Sequence, residues 1–576
     1  MKRCPECGRE YDSSMMFCLD DGAELLYGPA SGEAVLPALD ESTTAILHST
    51  DAPGNAATLN FSRTTDRSVA LPGDQTRSPA RSGSSRNLIV AVAGGVLLFA
   101  TLGIGGYLFY SRSAGSKQIE SIAVMPFVND GGNPDGDYLS DGMTETLINS
   151  LSQIPNLSVK ARSSVFRYKG KEVDPKKVAA ELGVQAILTG RVIQRGDQLT
   201  LSVELIDGLT ENTIWGNKYE RKGSDLVSLQ SEVARDVSGK LKSKISGADA
   251  AKVEKTFTAN PEAYQLYLKG NYYWNKRTAD NLKKSIEYFN QAIEKDPGYG
   301  QAYAGMALAY VLLPEYFGGT VEDSLSKGTA AARRALELDS SLAEAHAALG
   351  LALADDLKFA ESNQELQQAI KLNPNYATAH QWYANNLTVT KKFDEGIAEG
   401  RRAQELDPLS LIVNENLAEF YYYAGQYDKA LEQEKATIAL DPTFFLPHLG
   451  AGQAYEMKGM YPEALAEYKQ LQELNDDPNY YLSAIGHLYA VTGKREEALR
   501  VLTQLKEMSN KRRVAGYNFA IIYAALDDKD KAIEFLEKDH QVKESIFKYV
   551  AVDPFFKGLH SDPRFIDLMR RAGFPD

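Results

Sequence analysis

The sequence predicts a multidomain chain: a small metal-binding knuckle, a single transmembrane helix, an α/β domain with a mixed sheet, and an all-α solenoid of helix pairs. Three observations carry this reading. Asn373-Pro374, Asp407-Pro408 and Asp441-Pro442 recur at a period of 34 residues, and each closes an amphipathic run. Residues 88–110 (LIVAVAGGVLLFATLGIGGYLFY) contain no charged side chain. All three cysteines, Cys4, Cys7 and Cys18, fall within the first twenty residues. The expected divisions are a knuckle at 1–27, a disordered linker at 28–87, the transmembrane helix at 88–110, the α/β domain at 119–245, the solenoid at 260–545 and a capping segment at 546–576.

Length and charge bound the function. A chain of 576 residues exceeds what one core supports. Lys and Arg number 63 against 77 Asp and Glu, a formal net charge of −14. With no basic excess to meet phosphates, a general nucleic-acid binder is not expected.

The first element is the knuckle. Residues 4–22 read CPECGREYDSSMMFCLDDG. The Cys4-x2-Cys7 turn aims two thiolates at one ion, Cys18 supplies a third, and Asp21 stands where a second CxxC would end. Three thiolates and a carboxylate make an acceptable tetrahedral site for a structural Zn²⁺. The pattern resembles the zinc-ribbon modules with CPxCG…FCxxDG found at the start of bacterial membrane and signalling proteins. It departs from their four cysteines, so Asp20 or water stays open as an alternative to Asp21. The Ser-, Thr-, Gly-, Pro- and Ala-rich stretch that follows reads as a flexible tether. Within it, Asp40-Glu41-Ser42-Thr43-Thr44-Ala45-Ile46-Leu47 resembles motifs phosphorylated by eukaryotic-like kinases of bacteria, which marks Thr43 and Thr44 as phosphorylation candidates.

About twenty apolar residues span a bilayer as a helix, and 88–110 meets that length. The segment lies far from the amino terminus and follows a polar stretch, unlike a cleaved signal peptide. Arg77, Arg81 and Arg86 precede it, and Arg112 and Lys117 follow. The positive-inside rule leans toward a cytoplasmic amino terminus, with the later domains in the periplasm of a single-pass inner-membrane protein. The reverse topology would make the solenoid a cytoplasmic assembly platform.

Ser121–Phe127 is a strand-like run closed by a Gly/Asn/Asp/Pro cluster. Asp137–Ile154 carries Leu139, Met143, Leu147 and Leu151 at helical spacing. Leu157–Ala161 suggests a second strand. Asp174 followed by Pro175 is a cap-then-proline helix start. Ala186–Ile193 and Leu199–Ile206 flank a hairpin turn at 194–198. Trp215–Tyr219 adds a strand and Asp225–Leu241 a final helix. The order of SIAVMPF at 121–127, YLSDGMTE at 138–145, LGVQAILTG at 182–190 and Ile214-Trp215 resembles the TolB-like amino-terminal domain of bacterial envelope proteins. That resemblance implies an interaction or sensory module with no established catalysis.

The Pro-marked units resemble tetratricopeptide repeats, with the second unit carrying extra residues around Leu313–Lys327. Gly350, Ala384, Ala418, Gly452, Gly486 and Ala520 occupy the small position of the first helix, and Ala430, Ala464, Ala498 and Ala532 that of the second. Residues at offsets of three, seven and ten share the inner helical face. Gln381, Asn385, Glu415, Glu419, Tyr422 and Gln453 are therefore the candidate groove for a protein or peptide partner.

His346, His380 and His448 occupy equivalent repeat positions and are read as structural. No GxSxG, HExxH, Walker or kinase signature is present. The expected function is a non-enzymatic, membrane-anchored scaffold or signal-reception protein. The alternative is an enzyme with its site in the α/β domain. The sequence names neither the partner nor the oligomeric state.

Overall fold

The computed structural model describes residues 2–3, 10–11, 119–131, 136–241, 255, 258–316, 319–475 and 477–574. The chain divides into two compact units, Met1–Thr101 and Leu102–Asp576. In the first, β1 (Lys2–Arg3) pairs antiparallel with β2 (Glu10–Tyr11), in the register Lys2↔Tyr11 and Arg3↔Glu10. The intervening Cys4 and Cys7, with Cys18, Asp21, Thr43 and Thr44, lie outside the described residues.

The second unit opens with the α/β module. Its strands are β3 (Ser121–Val124), β4 (Val128–Asn129), β5 (Ser158–Val159), β6 (Ala186–Arg195), β7 (Gln198–Asp207) and β8 (Thr213–Lys222). They form one mixed sheet of order β5-β3-β6-β7-β8, with β4 also pairing β6. β3 runs parallel to β5 and β6, whereas β6–β7 and β7–β8 are antiparallel. The β6–β7 hairpin is tighter than the sequence suggests. Its strands extend to a two-residue turn in which Gly196 takes φ +60°, a conformation glycine reaches without penalty.

The module's helices are α1 (Asp137–Ser152), α2 (Arg162–Phe166), α3 (Pro175–Leu182) and α4 (Leu226–Leu241). The α3 start is the expected one. Asp174 accepts from the amides of Lys176 and Lys177, and Gly183 closes the helix at φ +63°. α2 was not expected: five residues carry no readable period.

Eight helix pairs follow: α5 (Pro261–Trp274) with α6 (Ala279–Lys295), α7 (Gly300–Leu312) with α8 (Val321–Leu338), α9 (Ala343–Asp355) with α10 (Phe359–Leu372), and α11 (Ala377–Val389) with α12 (Phe393–Leu406). Then come α13 (Leu411–Tyr423) with α14 (Tyr427–Leu440), α15 (Leu446–Met457) with α16 (Tyr461–Leu474), α17 (Pro478–Val491) with α18 (Arg495–Ser509), and α19 (Gly516–Ala525) with α20 (Lys529–Gln541). This is the tetratricopeptide-type solenoid that the period implied. The extra residues of the second unit form a 3₁₀ turn, Leu313–Tyr316, and a lengthened α8.

The repeat period has two structural causes. Asp296, Asn373 and Asp441 take extended backbone (φ −144°, −135° and −154°), and Asp407 leaves the helical region at φ −134°, ψ 64°; each precedes proline and stops the second helix of a pair. Within pairs, Leu357, Lys391, Gly425, Gly459, Gly493 and Asp527 all take positive φ, again at intervals of 34. Close helix approach explains the small residues. A Cβ on Gly452 would lie 2.2 Å from the Tyr468 ring, and one on Gly486 would lie 2.5 Å from Ile522.

Two 3₁₀ turns, Ser545–Tyr549 and Pro554–Leu559, and α21 (Pro563–Arg571) complete the chain. They cap the last pair through Phe547, Phe556, Leu559 and Phe565. The cap also reaches Phe359 and Val389, in the third and fourth pairs of the solenoid.

The localisation expectation is corrected. Among the described residues no helix is long and apolar enough to cross a membrane, so the single-pass inner-membrane placement, with its periplasmic domains, is not retained. Segment 88–110 itself lies outside the described residues.

Candidate functional site

The six candidate residues lie on α11, α13 and α15, the first helices of three neighbouring pairs, and the surface there is not an open groove. The carboxyl-terminal turn Ser545–Tyr549 lies against it. Asn385 Nδ2 donates to the Tyr549 hydroxyl at 2.5 Å, and Tyr549 stacks on Tyr423 with ring centroids 5.5 Å apart. Lys548 Nζ donates to Asp355 Oδ1 at 2.9 Å in a buried ion pair. Lys543 binds Asp356 at the edge. The phenyl ring of Phe555 lies 3.8 Å from the imidazole of His487.

Beneath this turn runs a polar network on α11 and α13. Gln381 Nε2 donates to Asn416 Oδ1 at 2.5 Å, and Asn416 Nδ2 donates to Glu415 at 2.8 Å and to Glu419 at 3.1 Å. Asn416 was not a candidate, since it falls between the chosen offsets. Only its hydrogen bonds, one of them across to α11, reveal it as the hub. Burial, then the neighbouring Glu419 charge, pushes the Glu415 carboxyl well above the usual range. Burial raises Glu419 to about 7.

The candidates separate by exposure. Gln381, Asn385, Glu419 and Gln453 are half-buried. Glu415 and Tyr422 are buried, Tyr422 at 4% exposure and with no partner for its hydroxyl. The expectation that Tyr422 is an exposed contact is therefore corrected: neighbouring helices and the ring of Tyr423, 5.3 Å away, cover it. What remains open is a cavity of about 150 Å³ bordered by Glu315, Gln381, Asn385, Ile412, Asn416 and Tyr549. Ile412 is 44% exposed there.

The repeat histidines have a structural role. Nδ1 of His346, His380 and His448 faces Glu365, Glu399 and Glu467 at 2.6, 2.6 and 2.7 Å. In the intervening repeat Asn414 accepts from Gln433 at 2.9 Å, so an amide pair replaces the imidazole and carboxylate. Each bond ties the two helices of one repeat. Among the described residues no group of three His, Cys, Asp or Glu side chains could hold a metal ion.

A second polar surface joins the α/β module to the solenoid at the Pro-marked turns. Asn375 Nδ2 donates to the carbonyls of Ser152 and Leu157 at 2.9 and 2.8 Å. The hydroxyls of Ser163 and Ser164 donate to the Asp407 carboxylate, the second at 2.6 Å. Arg167 donates to the carbonyls of Leu409 and Leu440 at 3.1 and 2.8 Å. Lys160 Nζ donates to the Glu405 carbonyl at 2.6 Å, and burial lowers its pKa. The α2 helix thus docks on the solenoid: its two serines bind the Asp407 carboxylate, while Lys160 and Arg167 on either side of it donate to carbonyls at the repeat ends.

Residues 117–235 match the family model of the HilA/YgeH-like transcriptional regulator, second domain. The expected TolB-like resemblance is not supported by this match. A curated relative, putative adenylate cyclase 3 of Rhizobium meliloti (strain 1021), is 32% identical over 237 residues. The alignment covers 41% of this chain and 40% of that protein, so the chain spans well under half the relative's length. Among solved structures, PilF of Pseudomonas aeruginosa aligns at 21% identity over 38% of this chain and 94% of that one, with a TM-score of 0.30. The TPR protein YrrB aligns at 23% identity over 34% of this chain and 98% of that one, with a TM-score of 0.27.

Proposed function

We propose that this chain is a non-enzymatic scaffold that receives a signal through its α/β module and binds a protein or peptide on the inner face of the solenoid. The observation that carries the reading is the opening beside Tyr549, where exposed Ile412 adjoins the amides of Gln381, Asn385 and Asn416. An apolar anchor beside a few convergent polar groups is the usual make-up of a recognition pocket. Gln381, Asn385, Glu419 and Gln453 are the proposed contacts, with Glu415 and Tyr422 supporting them from below. The module's match to a regulator domain, and the partial likeness to a protein named a putative adenylate cyclase, support a regulatory setting. Crosslinked capture followed by mass spectrometry tests it. Ile412→Asp combined with Gln381→Ala should abolish recovery of the partner that the native chain retains. Unchanged recovery would move the binding surface off the solenoid.

The enzymatic alternative takes its support from the relative's name alone. Production of cyclic AMP from ATP by the full chain would establish it and displace the scaffold reading.

The amino-terminal knuckle is proposed to hold one structural Zn²⁺ through Cys4, Cys7, Cys18 and Asp21. The Lys2–Arg3 and Glu10–Tyr11 pairing, which closes the segment bearing two of these thiols, supports it. Metal analysis of the purified chain should find equimolar zinc, lost in Cys7→Ser. Thr43 and Thr44 are proposed phosphorylation sites, which mass spectrometry of the native protein would read directly.

A further inference from the structure

A cavity of about 230 Å³ lies where the α/β module meets the first three repeats. Its walls come from α1 and α4 on one side and from α5, α9 and the turn before α7 on the other. Amides and hydroxyls dominate the lining, and Lys255 and Glu344 are its charged members. Lys255 is held by Asp339 at 2.6 Å and by Ser341 at 2.8 Å.

Two buried polar atoms in this lining have no hydrogen-bond partner: Gln230 Nε2 and the Tyr299 hydroxyl. Their residues are 7% and 0% exposed. A buried polar group without a partner is costly, and native proteins seldom keep one that nothing satisfies. These two come from opposite sides of the junction, Gln230 from α4 of the module and Tyr299 from the solenoid. Tyr267 and Tyr299 place their rings 5.2 Å apart beside the space.

We propose that this cavity binds a small uncharged polyhydroxylated molecule of monosaccharide size, which accepts a hydrogen bond from Gln230 Nε2 and exchanges another with the Tyr299 hydroxyl. The charge pattern disfavours an anion, which would face the Glu344 carboxylate while Lys255, the cation among the described lining residues, is already engaged by Asp339. A polyol offers hydroxyls to the wall of amides and hydroxyls. Such a ligand would be gripped by both bodies at once and would tighten the module onto the repeats. The binding site stands independently of the partner surface. Its use as the scaffold's input rests on the signal-reception reading.

Titration calorimetry and thermal unfolding of the full chain test the site, with D-glucose and D-ribose as neutral probes and choline and inorganic phosphate as charged controls. At least one sugar should give a saturable rise in Tm. Gln230→Leu and Tyr299→Phe should each weaken that binding about tenfold or more. Tyr299→Phe should leave the sugar-free Tm unchanged or raised, because its hydroxyl has no protein partner to lose. Preference for choline or phosphate, absence of a saturable shift with either sugar, or undiminished sugar binding in both variants would overturn the proposal. A lowered sugar-free Tm in Tyr299→Phe would also overturn it, by showing that the hydroxyl serves the resting structure. Sugar binding that persists when Ile412→Asp has lost its protein partner, or fails while partner capture persists, separates this site from the inner-face reading.

Discussion

Lys548 Nζ donates to Oδ1 of Asp355 at 2.9 Å and joins residues 193 apart in sequence. The side chains are 10% and 6% exposed. Burial, the largest single influence, works against the ammonium, but the charge and hydrogen bond of Asp355 together with Tyr549 and Glu315 outweigh it and hold the Lys548 pKa above its usual value. The pair fastens the carboxyl-terminal turn against the first helices of the repeats.

Lys548→Met should cost about 3–5 kcal/mol in denaturant unfolding, because it strands a buried carboxylate. Lys548→Met combined with Asp355→Leu should recover most of that loss, since two apolar groups need no partner. A double variant as unstable as the single one would show that packing, not charge, fixes the turn.

Tyr422 distinguishes ring from hydroxyl. Its hydroxyl is buried without a partner, so Tyr422→Phe should be neutral or slightly stabilising. Tyr422→Ala should cost about 3–5 kcal/mol, as loss of a buried aromatic side chain does. Equal midpoints for native and Tyr422→Ala protein would contradict the packing described.

Stability should fall as pH rises from about 4.5 toward 7, through the carboxylates beneath the turn. Burial raises Glu419 from 4.5 to about 7, and Glu415 and Glu434 move in the same direction. A raised carboxyl binds its proton more tightly in the folded state than in the unfolded one. The folded state therefore holds more protons across this window, and its advantage is complete below the unfolded pKa and lost above the folded one. Thermal unfolding of Glu419→Gln at several pH values should show a shallower decline than the native chain. An unchanged slope would assign the effect elsewhere.

The turns inside the pairs give a paired test. Lys391 and Gly425 occupy the same repeat position at φ +64° and +72°. Gly425→Ala should cost about 1–2 kcal/mol, the penalty of the left-handed region for a residue with a Cβ. Lys391→Gly, at an exposed site, should relieve that penalty. Part of the gain is lost to glycine's greater freedom when unfolded, for a net of about 0.5 kcal/mol. Chemical denaturation resolves both signs.

The sequence by itself determined the repeat solenoid and the order of the α/β module. Both are written in local signals: proline after a helix stop, small residues where helices touch, and caps such as Asp174-Pro175. The same signals could have located the positive-φ turns, since Gly425, Gly459 and Gly493 share the period. Tertiary structure alone decided which inner-face residues are reachable. Lys548 and Tyr549 carry no periodic mark, yet they lie against Asp355 and Asn385, and Asn416 becomes a hub by joining Gln381 of the neighbouring first helix to Glu415 and Glu419. It also decided where the module docks. Ser164 meets Asp407 across 243 residues, and the five-residue helix that presents it is too short to show a pattern. Periodicity reports which face of an element is buried. It does not report what buries it, because contacts between distant segments depend on how the whole chain closes.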